Sequence, residues 1–131
     1  MKLKLKASIR TAAEEWHEKY DKVWPFINGL ARVKLNDKWG YVDNEGNEVV
    51  PLMYDFAGFF YEGLARVELK RKCGFVDKTG KEVIPPKYDD VAIFWEGLAP
   101  VWLNGKGGFV DVTGKEYWNM TKEEARKQMK S

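Results

Sequence analysis

From residue 30 onward, apolar and polar positions alternate in short blocks. Ala31, Val33 and Leu35 fall on one side of an extended segment, and Leu30, Arg32 and Lys34 on the other. A period of two over about six residues predicts a half-buried strand. Lys38 to Asp43 predicts a second strand, and the stretch from Glu48 to Val50 a third. Asn36-Asp37 separates the first two. The equivalent pairs further along are Lys70-Arg71 and Asn104-Gly105. Asn-Gly is a strong two-residue hairpin signal, because both residues tolerate positive φ; Asn36-Asp37 and Lys70-Arg71 fill such a turn less comfortably. The second turn reads Asp43-Asn-Glu-Gly46, then Asp77-Lys-Thr-Gly80 and Asp111-Val-Thr-Gly114. An Asp that bonds its own backbone, followed three residues later by Gly, predicts a type I turn ending in a left-handed glycine. Pro51 and Pro85 are expected to stop the third strand, since proline has no N–H for a ladder.

The blocks repeat. Gly29-Leu30-Ala31 returns at Gly63 and again at Gly97, each time 34 residues on. The same offset carries Lys38-Trp39-Gly40-Tyr41-Val42-Asp43 onto Lys72-Cys73-Gly74-Phe75-Val76-Asp77 and Lys106-Gly107-Gly108-Phe109-Val110-Asp111 without a gap. Twelve positions between Phe26 and Glu48 are identical in all three copies. Upstream, Tyr88-Asp89 maps onto Tyr54-Asp55 and Tyr20-Asp21. The array is therefore expected to open with the tail of a unit at Tyr20-Asp21. It is expected to close after the third copy, where Lys122 stands in the next tyrosine's place. Units this short hold no private core and are stabilised by packing on one another.

The expected fold is mainly β: three tandem antiparallel β-meander repeats of 34 residues, in an open array. A closed pseudo-threefold barrel is the alternative. Thr11-Ala-Ala-Glu14 and Thr121-Lys-Glu-Glu124 each match a capping box, so short helices over about 11–20 and 121–130 are expected to cap the two ends. The organisation is then an N-terminal segment and helix over 1–19, the repeats over 20–118 (units near 26–59, 60–93 and 94–118) and a C-terminal helix over 119–131.

These spaced residues resemble the WG repeat family, whose Trp-Gly pair stands here as Trp39-Gly40. The shared pattern is Phe-x-x-Gly-Leu-Ala-x-Val, Lys-x-Gly-aromatic-Val-Asp-x-x-Gly-x-Glu and Pro-x-x-Tyr-Asp, over about residues 20 to 118. The tryptophan gives way to Cys73 in the second copy and Gly107 in the third, and the proline to Asn119 at the end. The resemblance implies a mostly β, chiefly bacterial repeat array acting as an interaction or recognition module. It brings no catalytic residues.

Composition narrows the functional classes. In 131 residues, 22 Lys+Arg against 20 Asp+Glu leave a net charge of +2, so no whole-protein field for nucleic acid exists. One cysteine and one histidine, Cys73 and His17, exclude a disulfide framework and any site needing two such ligands. No nucleophile–base pair, metal set or cofactor fingerprint can be assembled, so no catalytic role and no cofactor is expected. The Met1-Lys-Leu-Lys-Leu-Lys6 start has no apolar run behind it, and the longest such run is Val91–Trp95. A cytoplasmic protein with no membrane or nucleic-acid partner is the expectation. Asn104-Gly-Lys-Gly-Gly108 lacks the spacing of a phosphate loop and serves as a hairpin turn. Asp43, Asp77 and Asp111 suit local backbone bonding better than an acidic site. Lys38 and Glu48 are expected to be solvated or to pair with each other.

Positions where the copies disagree are the candidate binding positions. None of the six Trp is equivalent to another. Trp118 replaces an apolar strand residue and is expected to seal the core; Trp102 replaces charged residues and is expected to face solvent. A two-residue turn pairs Arg32 with Tyr41, Lys34 with Trp39 and Trp102 with Gly107. The large ring thus changes strand between the first copy and the third, and glycine leaves room for it. Arg32 and Arg66 each stand opposite an aromatic, Tyr41 or Phe75, where a cation–π contact is reasonable. Arg32, Trp39, Arg66, Trp95 and Trp102 are therefore the candidate binding residues of an aromatic, Arg-bearing face, either for a protein partner or packed between repeats. The alternative use is stacking of a small ligand, glycan or nucleotide, in grooves between repeats.

Overall fold

The computed structural model describes residues 15–130. The chain divides into two compact units, one ending at Met53 and the other beginning at Tyr54. The first holds one four-stranded antiparallel sheet in the order β1-β2-β3-β4: β1 (Lys22–Val23), β2 (Ala31–Leu35), β3 (Lys38–Val42) and β4 (Glu48–Tyr54), whose last residue opens the second unit. The second holds two such sheets. One is β5-β6-β7-β8, from β5 (Phe56–Tyr61), β6 (Leu64–Leu69), β7 (Lys72–Asp77) and β8 (Glu82–Tyr88). The other has β9 (Asp90–Val91), β10 (Leu98–Leu103), β11 (Lys106–Asp111) and β12 (Glu116–Trp118), in the order β12-β11-β10-β9. The helix α1 (Lys122–Met129) follows.

Each repeat therefore forms a four-stranded sheet, one strand more than its alternation predicts. The Tyr-Asp and Phe connector supplies the extra strand: Val23 pairs with Val33, Ala57 with Val67 and Val91 with Val101. The sheets span 22–54, 56–88 and 90–118, so each begins upstream of the unit bounds drawn from the sequence. The predicted hairpin registers hold residue by residue, Arg32 facing Tyr41, Lys34 facing Trp39 and Trp102 facing Gly107.

Each repeated residue has a job. The Tyr20 hydroxyl donates to Glu48 at 2.9 Å and Tyr54 to Glu82 at 2.5 Å, and Tyr88 donates to Glu116, always 28 residues on. Glu48 is thus a tyrosine's acceptor while remaining exposed to solvent. Asp21, Asp55 and Asp89 accept from the backbone N–H of the hairpin-turn residues Asn36, Lys70 and Asn104 at 2.9, 2.9 and 2.8 Å. Asp43, Asp77 and Asp111 each accept two backbone N–H groups of their own turn, as the Asp-x-x-Gly spacing predicts. Gly40 lies where the next strand crosses: a Cβ there would stand 2.5 Å from the Val50 carbonyl oxygen. On Gly74 it would run into the backbone of Ile84 and Pro85. Close backbone approach, rather than turn geometry, is what demands this glycine.

The first unit buries Ala31, Val33 and Val42 with Trp16 and Tyr20. In the second, Cys73, Phe75, Ile84, Tyr88, Phe94, Val101 and Val110 share a core, with Trp118 packed at its margin as expected. At the N-terminal end the described part of the predicted helix over about 11–20 is helical: Glu15 is α-helical, a 3-10 turn, Trp16–Lys19, continues from it, and Tyr20, one residue short of the expected end, is already extended. Its side chain joins that core and its hydroxyl reaches Glu48, a placement that an extended Tyr20 leading into β1 provides. The Thr11–Glu14 box lies outside the described residues. At the other end α1 forms with both halves of its capping box: Glu124 N–H donates to the Thr121 hydroxyl and Thr121 N–H to the Glu124 carboxylate.

Candidate functional site

The two candidates in the first unit lie together. Trp24 and Trp39 stack with ring centroids 4.5 Å apart and planes 23° from parallel. The Arg32 guanidinium lies 5.2 Å from the Trp24 ring and 5.4 Å from Trp39. Lys34 lies 5.6 Å from Trp39 and Lys22 5.3 Å from Trp24. Register explains the cluster. Lys22 faces Lys34, which faces Trp39, and Trp24 donates its N–H to Arg32's carbonyl oxygen, so the neighbouring row sits alongside. Three cations over two half-buried rings make a cation–π block. Trp24, absent from the candidate residues, completes it; the signal is a tryptophan two residues after the paired Lys22.

Arg66 has a different environment. It faces Phe75, yet its guanidinium reaches Asp90 at 3.3 Å, Glu68 at 3.4 Å and the Cys73 sulfur at 3.5 Å, and lies 5.9 Å from the Phe56 ring. Burial pulls its pKa down, but these acceptors outweigh burial and hold it above the usual value. Burial pushes the Cys73 thiol up, away from a reactive thiolate. Arg66 thus ties strand β6 to β9 within the second unit.

Trp102 and Trp95 are exposed, at 43% and 59%. The Trp102 indole lies across Gly107, its Nε1 3.4 Å from where a Cβ would be, so glycine does leave room for it. Trp95 flanks a second kind of hairpin tip that the alternation did not reveal. Ile27 bridges Leu30 and Trp95 bridges Leu98 around two-residue turns, and Tyr61 pairs with Leu64 in the same way. Asn28-Gly29, Glu62-Gly63 and Glu96-Gly97 fill these turns with positive φ throughout. Ile27, Tyr61 and Trp95 are all exposed, at 52%, 40% and 59%.

In the second unit two tips are joined. The Glu62 carboxylate accepts from the backbone N–H of Glu96 and of Gly97, the latter at 2.9 Å. Arg126 of α1 pairs with the Glu96 carboxylate at 3.0 Å. Phe59, Tyr61, Ile93 and Trp95 are exposed on these connected segments. Exposed large apolar side chains grouped on a polar-rimmed segment are the composition of a contact surface. Of these four only Trp95 was a candidate binding residue of the sequence.

Among the described residues no group of three or more His, Cys, Asp or Glu is placed to hold a metal ion. No helix there is long and apolar enough to cross a membrane.

The geometry agrees with what comparison with known families finds. The family model for the WG containing repeat matches residues 19–39, 39–73 and 74–106, and this chain belongs to that family. No curated protein and no solved structure matches it.

Proposed function

We propose that this chain is a non-catalytic interaction module that holds a protein partner on the apolar hairpin tips of its second unit. One observation carries the reading. Tyr61 and Trp95 are exposed on tips that Glu62 fixes together, while the aromatics of the strand interiors, Phe75 and Tyr88, are buried. Rigid aromatic anchors on a fixed support bind at low entropic cost. The Arg-bearing face has a smaller part. Arg66 serves the junction of β6 and β9, and the Trp24 and Trp39 rings already touch, leaving no slot for a flat ligand between them.

The test compares capture of a partner by the native chain, by a Tyr61→Ala/Trp95→Ala variant and by Trp39→Ala, with melting temperatures alongside. The partner captured by the native chain is lost with the tip variant at unchanged melting temperature and kept by Trp39→Ala. Retention by the tip variant refutes the proposal. Saturable Trp quenching by a nucleotide or glycan, abolished in Trp39→Ala, would support small-ligand stacking instead.

A further inference from the structure

The second and third sheets differ at one edge. Strand β8 runs seven residues and its last, Tyr88, pairs with Cys73 of β7. Strand β12 runs three residues and stops at Trp118. Asn119 takes a left-handed φ of 58° and Thr121 begins capping α1, so the chain leaves the sheet. Among the described residues, Lys106 and Gly107 consequently have β10 on one side and no strand on the other.

The register fixes what this edge presents. Leu103 and Lys106 close a two-residue turn and form its hydrogen-bonded pair, so Trp102 and Gly107 form the next, non-hydrogen-bonded pair. The N–H and C=O of Gly107 therefore point to the open side. In the second sheet the equivalent groups belong to Cys73, and Tyr88 pairs with them.

The second sheet also shows which side chains fit. Tyr88 is fully buried there, and the adjacent Asp89 pairs with Lys72. In the third sheet Lys106 is the equivalent of Lys72. Its side chain is exposed and, among the described residues, makes no ion pair or hydrogen bond. A groove of about 400 Å³ lies between the β10–β11 turn (Leu103, Asn104, Lys106) and Glu116, Trp118 and Asn119. Glu116 is already engaged by Tyr88 and Lys87, so Lys106 is the uncompensated charge of the groove. The exposed Trp102 ring stands beside the position a residue paired with Gly107 would occupy.

We propose that this edge binds an extended segment of a partner polypeptide carrying an aromatic residue followed by an acidic one. The segment adds as a strand to β11, its aromatic side chain beside Trp102 and its carboxylate on Lys106. Backbone bonds along an edge supply affinity and side-chain pockets supply selectivity. This goes beyond the hairpin-tip reading, since neither Tyr61 nor Trp95 takes part.

The probe is the chain's own internal segment as a free peptide, Val83-Ile-Pro-Pro-Lys-Tyr-Asp-Asp90, titrated into the full chain with amide and indole resonances followed by NMR. Saturable shifts are expected at Gly107, Gly108 and the Trp102 indole. Changing the peptide Asp89→Asn, or the protein Lys106→Glu, is expected to weaken binding roughly threefold to fivefold, in the range of an exposed ion pair. Pairing Lys106→Glu with an Asp89→Lys peptide restores it. Methylating the peptide's tyrosine nitrogen removes binding while every side chain remains. No saturable shift up to about 1 mM peptide, the weak end of measurable affinity, overturns the proposal. So does a methylated peptide that binds as well as its parent, or shifts confined to Cys73 and Gly74. Trp95→Ala is expected to leave peptide affinity unchanged, so failure at the edge and failure at the tips are read separately.

Discussion

Lys70 and Arg71 form the hairpin turn of the second sheet with φ of 51° and 67°, both left-handed. The third copy carries Asn104-Gly105 in the same turn, at 53° and 81°. A left-handed conformation costs an ordinary L-residue roughly 1–2 kcal/mol, and glycine escapes that cost. Glycine returns about 0.5–1 kcal/mol of it through the extra freedom of its unfolded chain. Asparagine at the first position recovers a few tenths. Neither Lys70 nor Arg71 has a side-chain hydrogen bond or ion pair among the described residues. The one bond at the turn, Lys70 N–H to Asp55, is a backbone donation that any residue but proline makes. Grafting Asn-Gly in place of Lys70-Arg71 should therefore stabilise the chain by about 1 kcal/mol, near 4 °C in melting temperature for a chain of this size. The reverse graft, Lys-Arg in place of Asn104-Gly105, should lose about as much. Thermal and urea unfolding followed by tryptophan fluorescence measure both. An Asn-Gly variant that melts at or below the native temperature would refute the idea that this turn stores backbone strain.

Two further outcomes are expected. Gly74→Ala places a methyl group against the backbone of Ile84 and Pro85, which cannot move aside as a side chain would, and should cost about 3 kcal/mol or more by urea titration; Gly63→Ala, where nothing lies within 4 Å, should cost only its left-handed φ. Stability should fall at both extremes of pH. Burial and the Glu48 carboxylate raise Tyr20 to about 12, and burial with Glu116 raises Tyr88 as well. A raised pKa gives stability that is complete below the ordinary value of about 10 and is lost as pH climbs through the folded value. The Thr79 hydroxyl holds Asp77 low and the Tyr88 hydroxyl holds Glu116 low, so their contribution is complete above about pH 4 and drains away as pH falls further. A Tyr88→Phe variant that leaves the alkaline limb unchanged would contradict the assignment to these tyrosines.

Sequence carried the hairpins because a two-residue turn and a period of two leave only one register: Arg32 facing Tyr41 and Trp102 facing Gly107 follow from counting. Long-range partners were hidden. Tyr88 and Glu116 stand 28 residues apart, and a glutamate opposite solvent looks the same in sequence as one receiving a buried hydroxyl. The added strands were hidden as well, since Lys22–Val23 and Asp90–Val91 are two residues each and Phe56–Tyr61 contains a glycine and a bulge. The cation–π block was half visible. Trp39 and Arg32 came from the repeat, whereas Trp24 needed the pairing of β1 with β2. Of the hairpin-tip surface the sequence showed only Trp95, a tryptophan where the copies disagree; its equivalents Ile27 and Tyr61 are exposed as well, which their apolar character alone does not reveal.

The tyrosine that ends β8 belongs to two sheets at once: its backbone pairs with Cys73 and its hydroxyl with Glu116. Donor and acceptor are separated by less than one period, so a gene segment one period long, copied in phase, brings its own half of each junction and accepts the other half from its neighbour. Such an array can gain or lose a copy in a single genetic event without a compensating change, and its ends, where a junction is left half-made, are free to diverge.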